Sequence, residues 1–290
     1  MLTHQSAPEE IVIIGGNGKT GRRVAALLRA QGRAVRPVSR STSPSFDWNE
    51  TTTWAAALEG ASAAYITYSP DLALPGADEQ LRQLGRLLAG MDVTRVVLLS
   101  GRGEPGAVVS ENALREQVPT ARVVRSSFFM QNFTEGMLIE FVSDGVIAMP
   151  VPGTVPEPFI DVDDVAEVVV ATLLDDSKAR GILEVTGPAS ITFTDVAATF
   201  SQELGREVAF QEVSPQAFVE RWVAAGLHPD EAHGLAEMFE ELMDGHNSHL
   251  SDGVTSVLGR PAKSFQDFVR DSVSQGLLPI AAGQGGKHHV

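Results

Sequence analysis

The stretch IVIIGGNGKTGRRVAALLRAQG, residues 11–32, decides the fold. Ile11 to Ile14 form an apolar run without alternation, the pattern of a strand covered on both faces. Glycines follow at 15, 16, 18 and 21, and the segment after them carries apolar residues every three or four positions until Gly32, where a helix should stop. The final Gly-Lys-Thr resembles the end of a triphosphate-binding loop, but that motif requires a glycine five positions before Gly18, where Ile13 stands. Such enzymes also end a later strand in an acid that holds magnesium, whereas AAYITYS and RVVLLSG end in serine. Gly16, Gly18 and Gly21 instead fit G-x-G-x-x-G between a strand and a helix, and Gly15 adds the related spacing G-x-x-G-x-x-G. The chain must turn sharply, bring backbone against a diphosphate, and let the helix pack close to the sheet. A Cβ obstructs each step, and the helix's unpaired N–H groups suit an anion.

The same rhythm continues. Strands are expected at 11–14, 34–39, 63–67, 95–100, 121–125 and near 182–186, with crossover helices in TGRRVAALLRAQG, TTTWAAALEG and QLRQLGRLLAGM. A Pro-rich stretch, MPVPGTVPEPF (149–159), reads as a surface loop, and IDVDDVAEVVVATLLDD reads as an acid-capped helix. After Gly187 the segments 194–205, 214–226, 230–244, 252–258 and 264–275 read as helices, with EVAFQEV as the one strand. The expectation is an α/β chain: a Rossmann-type doubly wound parallel sheet over residues 1–187, a smaller, mostly helical domain over 188–278, and a disordered Gly-rich tail over 279–290.

Composition narrows the partners. The 290 residues carry a formal charge of −15, with 37 acids against 22 bases and no basic run longer than two, which argues against nucleic acid. The acids cluster in PDEAHGLAEMFEELMDG, where Leu235, Met238, Phe239, Leu242 and Met243 share helical spacing and Glu237, Glu240, Glu241 and Asp244 fall largely opposite, as on a solvated face. Apolar runs fall short of the roughly 18 residues of a membrane span, and MLTHQSAPEE lacks a basic-then-apolar signal. With no cysteine, thiol chemistry is excluded, and cytoplasmic residence fits. His246 and His249 stand three apart without a third ligand pattern, so no metal is expected. Asp161, Asp163 and Asp164 read first as helix capping.

The second strand selects the dinucleotide. An NAD site places an acid about 20 residues past the loop to accept the ribose 2′-hydroxyl; AVRPVSR instead ends in Ser39 and Arg40, with Ser41 following. A guanidinium suits the 2′-phosphate of NADP(H); the alternative reading of Arg40 is a surface cation. Gly15, Asn17, Gly18, Lys19, Thr20 and Gly21 would surround the diphosphate. Asp47 and Trp48 either line the adenine or, for Trp48, join the core. Tyr68 and Ser69, Ser100 and Gly101, and Ser126 to Phe129 follow strands at their carboxyl ends, where such a cofactor and its substrate lie.

IVIIGGNGKTGRRV, VSRS, RVVLLSGRG, VVRSSFFMQNF, PFIDVDDVAEVV and DGVTSVLGRPAKSFQDFV together resemble the NmrA-like branch of atypical short-chain dehydrogenases/reductases, over about residues 9–275. Within it the chain is similar to bacterial relatives of the festuclavine dehydrogenase type of ergot-alkaloid reductase. The resemblance implies an NADP(H)-binding domain with a small C-terminal domain closing a substrate cleft. It also implies Phe129 and Asn132 as nicotinamide or substrate neighbours. Phe128, Phe129 and Phe133 serve equally as core aromatics, and Trp222 reads first as packing beside Phe218; Phe128, Trp222 and His246 complete the candidate substrate set with Tyr68. Relatives that reduce ketones place a Ser after the strand, then a Tyr and a Lys four apart on the next helix. Ser100 occupies the first place, but GAVVSENALREQ offers only Val108 and Asn112 for the others. A ketone leaves an alkoxide that must be protonated, and losing a positioned acid costs about 10²- to 10⁴-fold. Quinones, enones and iminium ions tolerate that loss. The favoured expectation is therefore an NADP(H)-dependent reductase of a small hydrophobic electrophile, monomeric or homodimeric. The competing one is a non-catalytic NADP(H) sensor acting through protein partners.

Overall fold

The computed structural model describes residues 10–136 and 138–278; the expected tail lies outside them. In chain order the elements begin β1 (Glu10–Ile14), α1 (Lys19–Ala30), β2 (Ala34–Val38), α2 (Trp54–Leu58), β3 (Ala61–Ile66), α3 (Ala77–Gly90), β4 (Arg95–Gly101), α4 (Pro105–Gln117) and β5 (Arg122–Ser126). There follow α5 (Ile139–Asp144), β6 (Val146–Met149), β7 (Pro156–Glu157), α6 (Val162–Leu174) and β8 (Ile182–Val185). The chain continues through β9 (Ile191–Thr192), α7 (Phe193–Leu204), β10 (Ala209–Glu212), α8 (Pro215–Ala224), α9 (Pro229–Leu242), α10 (Gly253–Leu258) and α11 (Phe265–Ser274).

Six strands form a parallel sheet in the order β2-β1-β3-β4-β5-β8. Ile11 to Ile14 are all buried, which is why the run lacks alternation: Val12 and Ile14 face a core built with Trp54, Leu81, Leu84, Leu88 and Leu114, while α1 and α6 cover the other side. β1 has β2 on one side and β3 on the other, so the strand order reverses there. A crevice opens beyond the carboxyl ends at such a point. Among the described residues no helix is long and apolar enough to cross a membrane.

Two compact units emerge, and both are discontinuous in sequence. Of the described residues, the first takes 10–127, 162–186 and 251–262 and holds the six-stranded sheet; the second takes 128–161, 187–250 and 263–278. One crossing of the chain falls between Thr186 and Gly187. The segment 128–161, expected in the sheet domain, packs its Phe133, Phe141, Met149 and Phe159 with Phe193, Phe200, Phe239 and Phe265, and so belongs to the second unit. Conversely Gly253, opening α10, seats its backbone so closely on Glu184 O that a Cβ would overlap it, which fixes α10 to β8 in the first unit.

The Pro-rich stretch is a correction to its reading as a surface loop. Met149, Val151 and Phe159 are buried, and β7 within it pairs antiparallel with β9. The preceding strand, β6, pairs in parallel with β10. That pairing joins segments some 60 residues apart, so local pattern could not disclose it. On α9, by contrast, Phe239 and Met243 are buried while Glu237, Glu240 and Glu241 face solvent, as the spacing implied.

Helix α1 sits against the loop that precedes it. A Cβ on Gly21 would overlap Gly15 O and lie 3.0 Å from Gly16 Cα. Backbone cannot yield there as a side chain would. Gly21→Ala is expected to destabilise the chain by about 1–3 kcal/mol, read as a lower denaturant midpoint with an unchanged slope.

Candidate functional site

The loop after β1 is held before any ligand is considered. Thr67, just past β3, donates through its amide and its hydroxyl to Ile14 O at 3.3 and 3.0 Å. Gly15 turns with φ +79°, and the amides of Gly15 and Gly16 both donate to Val38 O at 3.0 and 3.1 Å. Gly18 N donates to Gly15 O at 2.9 Å, which closes the turn. Added Cβ atoms at Gly15, Gly16 and Gly21 would overlap Thr67 Oγ1, Pro37 Cβ and Gly15 O respectively. Gly18 is different. It is exposed, its φ of −72° and ψ of 171° suit any residue, and a Cβ there meets only Gly15 O at 3.2 Å. Packing therefore demands bare backbone at three positions and scarcely at the fourth. Gly18 is also the N-cap of α1, with no side chain to satisfy the first turn's N–H groups. A cradle whose open glycine faces outward at a helix N-terminus fits a diphosphate.

Beside it, Asn17 Nδ2 donates to Ser39 Oγ at 2.9 Å and Ser41 Oγ at 3.2 Å, tying the glycine loop to the end of β2. Arg40 lies exposed between those serines, and no described residue pairs with it. Of the other candidates here, Thr20 is buried against Tyr65 and so faces the sheet. Lys19 is half-buried, its carbonyl taking a 2.9 Å bond from Arg23. Asp47 accepts from Asn49 N at 3.0 Å, and Trp48 packs among Phe46, Trp54 and Tyr68 with centroids 5.0, 5.7 and 4.6 Å away.

At the tips of β3, β4 and β5 the polar groups are engaged with one another. Tyr68 donates its hydroxyl to Gln80 Oε1 at 2.6 Å, and burial raises its pKa. Ser69 is exposed beside it. Tyr65 is fully buried, which pushes its hydroxyl far above the usual tyrosine range. Ser100 donates to Glu111 Oε1 at 2.6 Å. Glu111 is itself fully buried on α4 and takes a two-pronged grip from Arg125, with Nε to Oε1 at 2.8 Å and Nη2 to Oε2 at 2.6 Å. That grip raises the Arg125 pKa further. Arg102, almost wholly buried, extends the chain of charge to Glu184 at 3.1 Å. Gly101 lies against the Glu104 carboxylate, and Ser126, buried at the end of β5, accepts Arg102 N through its carbonyl at 3.2 Å.

The remaining candidates lie in the second unit. Phe128 stacks edge-on against Phe159 at 5.9 Å and takes Glu157 Oε1 on its amide at 3.1 Å. Half-buried Phe129 bridges to Ile160, and Asn132 follows one turn later in a short 3₁₀ segment, Met130–Phe133. Trp222 packs on Phe141 at 5.7 Å and Phe218 at 6.1 Å. His246 contacts Asp244, whose carboxyl is held below its usual pKa by the amide and ring of that histidine. Gln131 donates to Asp161 at 2.6 Å, with Lys263 3.3 Å from the same carboxylate. In the first unit Asp163 pairs with Arg23 at 2.5 Å and Asp164 with Arg260 at 2.7 Å. The three aspartates are thus ion-pair partners. Among the described residues no cluster suits a metal.

Sequence reasoning passed over Thr67, Pro37, Glu111 and Arg125. One signal was present: Glu111 sits four residues after Ala107 and three before Leu114, on the inward face of its helix. An acid there requires a buried partner.

The model of the NmrA-like family matches residues 109–260, more than half of the chain. The chain belongs to the NmrA-like family. As a member of that family it is 30% identical to the uncharacterized oxidoreductase YesF of Bacillus subtilis, over 89% of this chain and 93% of that protein. It is 28% identical to festuclavine dehydrogenase easG of Aspergillus fumigatus, over 89% and 96% of the two. Triphenylmethane reductase of Citrobacter sp., solved with NADP(H), shares the fold with a TM-score of 0.73 at 17% identity, over 90% of this chain and 99% of that one. For this NmrA-like chain, Glu111→Ala is expected to cost about 3 kcal/mol, because it takes from half-buried Arg125 its bidentate partner and leaves only Glu184 at 3.9 Å; urea unfolding measures it.

Proposed function

We propose that the chain is an NADP(H)-dependent reductase of a small hydrophobic electrophile of quinone, enone or iminium type. The observation that carries this reading is Gly18: the one loop glycine that protein packing scarcely requires stands exposed at the N-cap of α1. A bound diphosphate explains it. NADPH, when bound, supplies a hydride to the acceptor. The chain's own residues then divide the work. The backbone of Gly15, Gly18 and the first turn of α1 would hold the diphosphate, with Asn17 bracing the Ser39–Ser41 turn from which Arg40 meets the 2′-phosphate. Phe129 and Asn132 are carried over from the family resemblance as neighbours of the nicotinamide or the acceptor. An NADP(H)-bound relative by fold and a festuclavine dehydrogenase relative by sequence support the cofactor and the acceptor class.

Val108 and Asn112, where a Tyr and a Lys would stand, support the same class. The Ser100 proton is given to Glu111, an acceptor whose charge Arg125 holds in place. Ser100 Oγ is then left with lone pairs to offer, and accepts rather than donates. Tyr65 is buried and Tyr68 is bonded to Gln80. An acceptor whose reduced form needs no proton in the same step matches such a site, and orientation with exclusion of water supplies the rate.

Gly18→Ala is expected to cost at most about 1 kcal/mol of stability while weakening NADPH at least tenfold, by calorimetry. Arg40→Asp should weaken NADPH by about 10- to 100-fold and NADH far less. Equal loss of both nucleotides would remove the basis for cofactor choice. Following NADPH absorbance with a panel of quinones, enones and iminium ions tests turnover. NADPH binding without oxidation by any of the three classes would leave the sensor and remove the reductase.

A further inference from the structure

Within the first unit lies a polar cavity of about 660 Å³, lined by Thr94, Arg95, Pro119, Thr120, Arg122, Asp176, Arg180 and Gly181. Arg95 opens β4, Arg122 opens β5, and Arg180 and Gly181 lead into β8. In a parallel sheet these amino ends lie opposite the carboxyl ends that carry the glycine loop, a strand's length of roughly 15–20 Å away. The cavity therefore cannot be part of the dinucleotide cradle.

Its charge is unlike that of the rest of the molecule. Three arginines and one aspartate leave a net charge of +2 among the lining residues, in a chain that totals −15. Guanidinium groups do not lose their protons in proteins, so this charge is permanent. The Arg122 side chain is only 11% exposed; its Nη1 donates to Thr172 O at 2.9 Å and its Nη2 pairs with Asp176. A structural role accounts for Arg122 in full. It does not account for Arg180, which is exposed and which no described residue pairs with. The turn that places Arg180 is fixed: Gly181 adopts φ +69°, and its carbonyl accepts Val123 N at 2.9 Å. Thr120 closes the floor by donating to Thr94 O at 2.6 Å. With no described partner, Arg180 presents a fixed N–H fork to this polar cavity, the geometry that oxyanions take up in pairs of bonds.

We propose that this cavity binds a small multivalent oxyanion, a phosphate ester or a polycarboxylate, independently of the dinucleotide. Arg180 would hold it, Arg95 adds its charge to the lining, and the 80% exposed Asp176 carboxylate, paired with Arg122, bounds one side. The proposal stands whether or not the glycine loop binds NADP(H).

The test is calorimetric titration of the full chain with pyrophosphate and, separately, with citrate, each with and without saturating NADP+, on wild type and Arg180→Glu. Arg180 is exposed, so the variant should unfold at the wild-type temperature. The expected result is millimolar or tighter binding that NADP+ does not displace and that weakens at least tenfold in Arg180→Glu. Preference between the two anions names the phosphate or the carboxylate source. No binding at millimolar concentration, displacement by NADP+, or equal binding by the variant would each overturn the proposal. A second variant, Arg95→Ala, guards against a single-site artefact; it too should weaken the anion while leaving NADP+ affinity at the wild-type value.

Discussion

The contact between bare backbone at Gly21 and the carbonyl of Gly15 governs the arrangement of the first unit. It lets α1 begin directly above the turn that leaves β1, so that Val24 and Leu28 are fully buried and α1 packs against α6. The same closeness aims the helix N-terminus at the reversal point of the strand order. Steric exclusion and electrostatic attraction thus share one origin: without the glycines the helix would stand off, and its unpaired N–H groups would point elsewhere.

A second constraint comes from charge kept out of water. Glu111 and Arg125 form a bidentate pair between α4 and β5, and Ser100 at the tip of β4 closes the network. A buried pair of this kind is a weak source of net stability, because desolvation offsets most of the attraction. Its consequence lies in geometry. With one oxygen of Glu111 taking the Ser100 proton and both held by Arg125, the polar character of this strand tip is set before any substrate arrives. A hydroxyl committed as donor to a carboxylate is a poor acid toward anything else.

Much of this was legible along the chain. The apolar run Ile11–Ile14, the glycine spacing and the helix periodicity are local, so the parallel α/β class, all six sheet strands and the five helices after residue 188 could be placed from sequence within about two residues. The cluster of Asn17 with Ser39 and Ser41 was legible as two separate loops; their hydrogen bonds were not. The Pro-rich stretch misled because proline marks turns whatever lies beneath them. Met149, Val151 and Phe159 reach an interior that forms only when α7, α9 and α11 arrive.

What the sequence alone determined is therefore the backbone's local necessity: where Cβ atoms had to be missing, where strands and helices run, and that Arg40 rather than an acid follows β2. Tertiary structure alone decided which glycine has the most room for a side chain, that Ser100 gives its proton to Glu111, that 128–161 and 251–262 exchange units, and that three arginines share one cavity. The physical reason is distance along the chain. Steric and periodic rules act between near neighbours and leave their mark in consecutive residues, whereas pairing of charges, burial of aromatic rings and cavity formation join residues tens of positions apart, and no short window contains both partners.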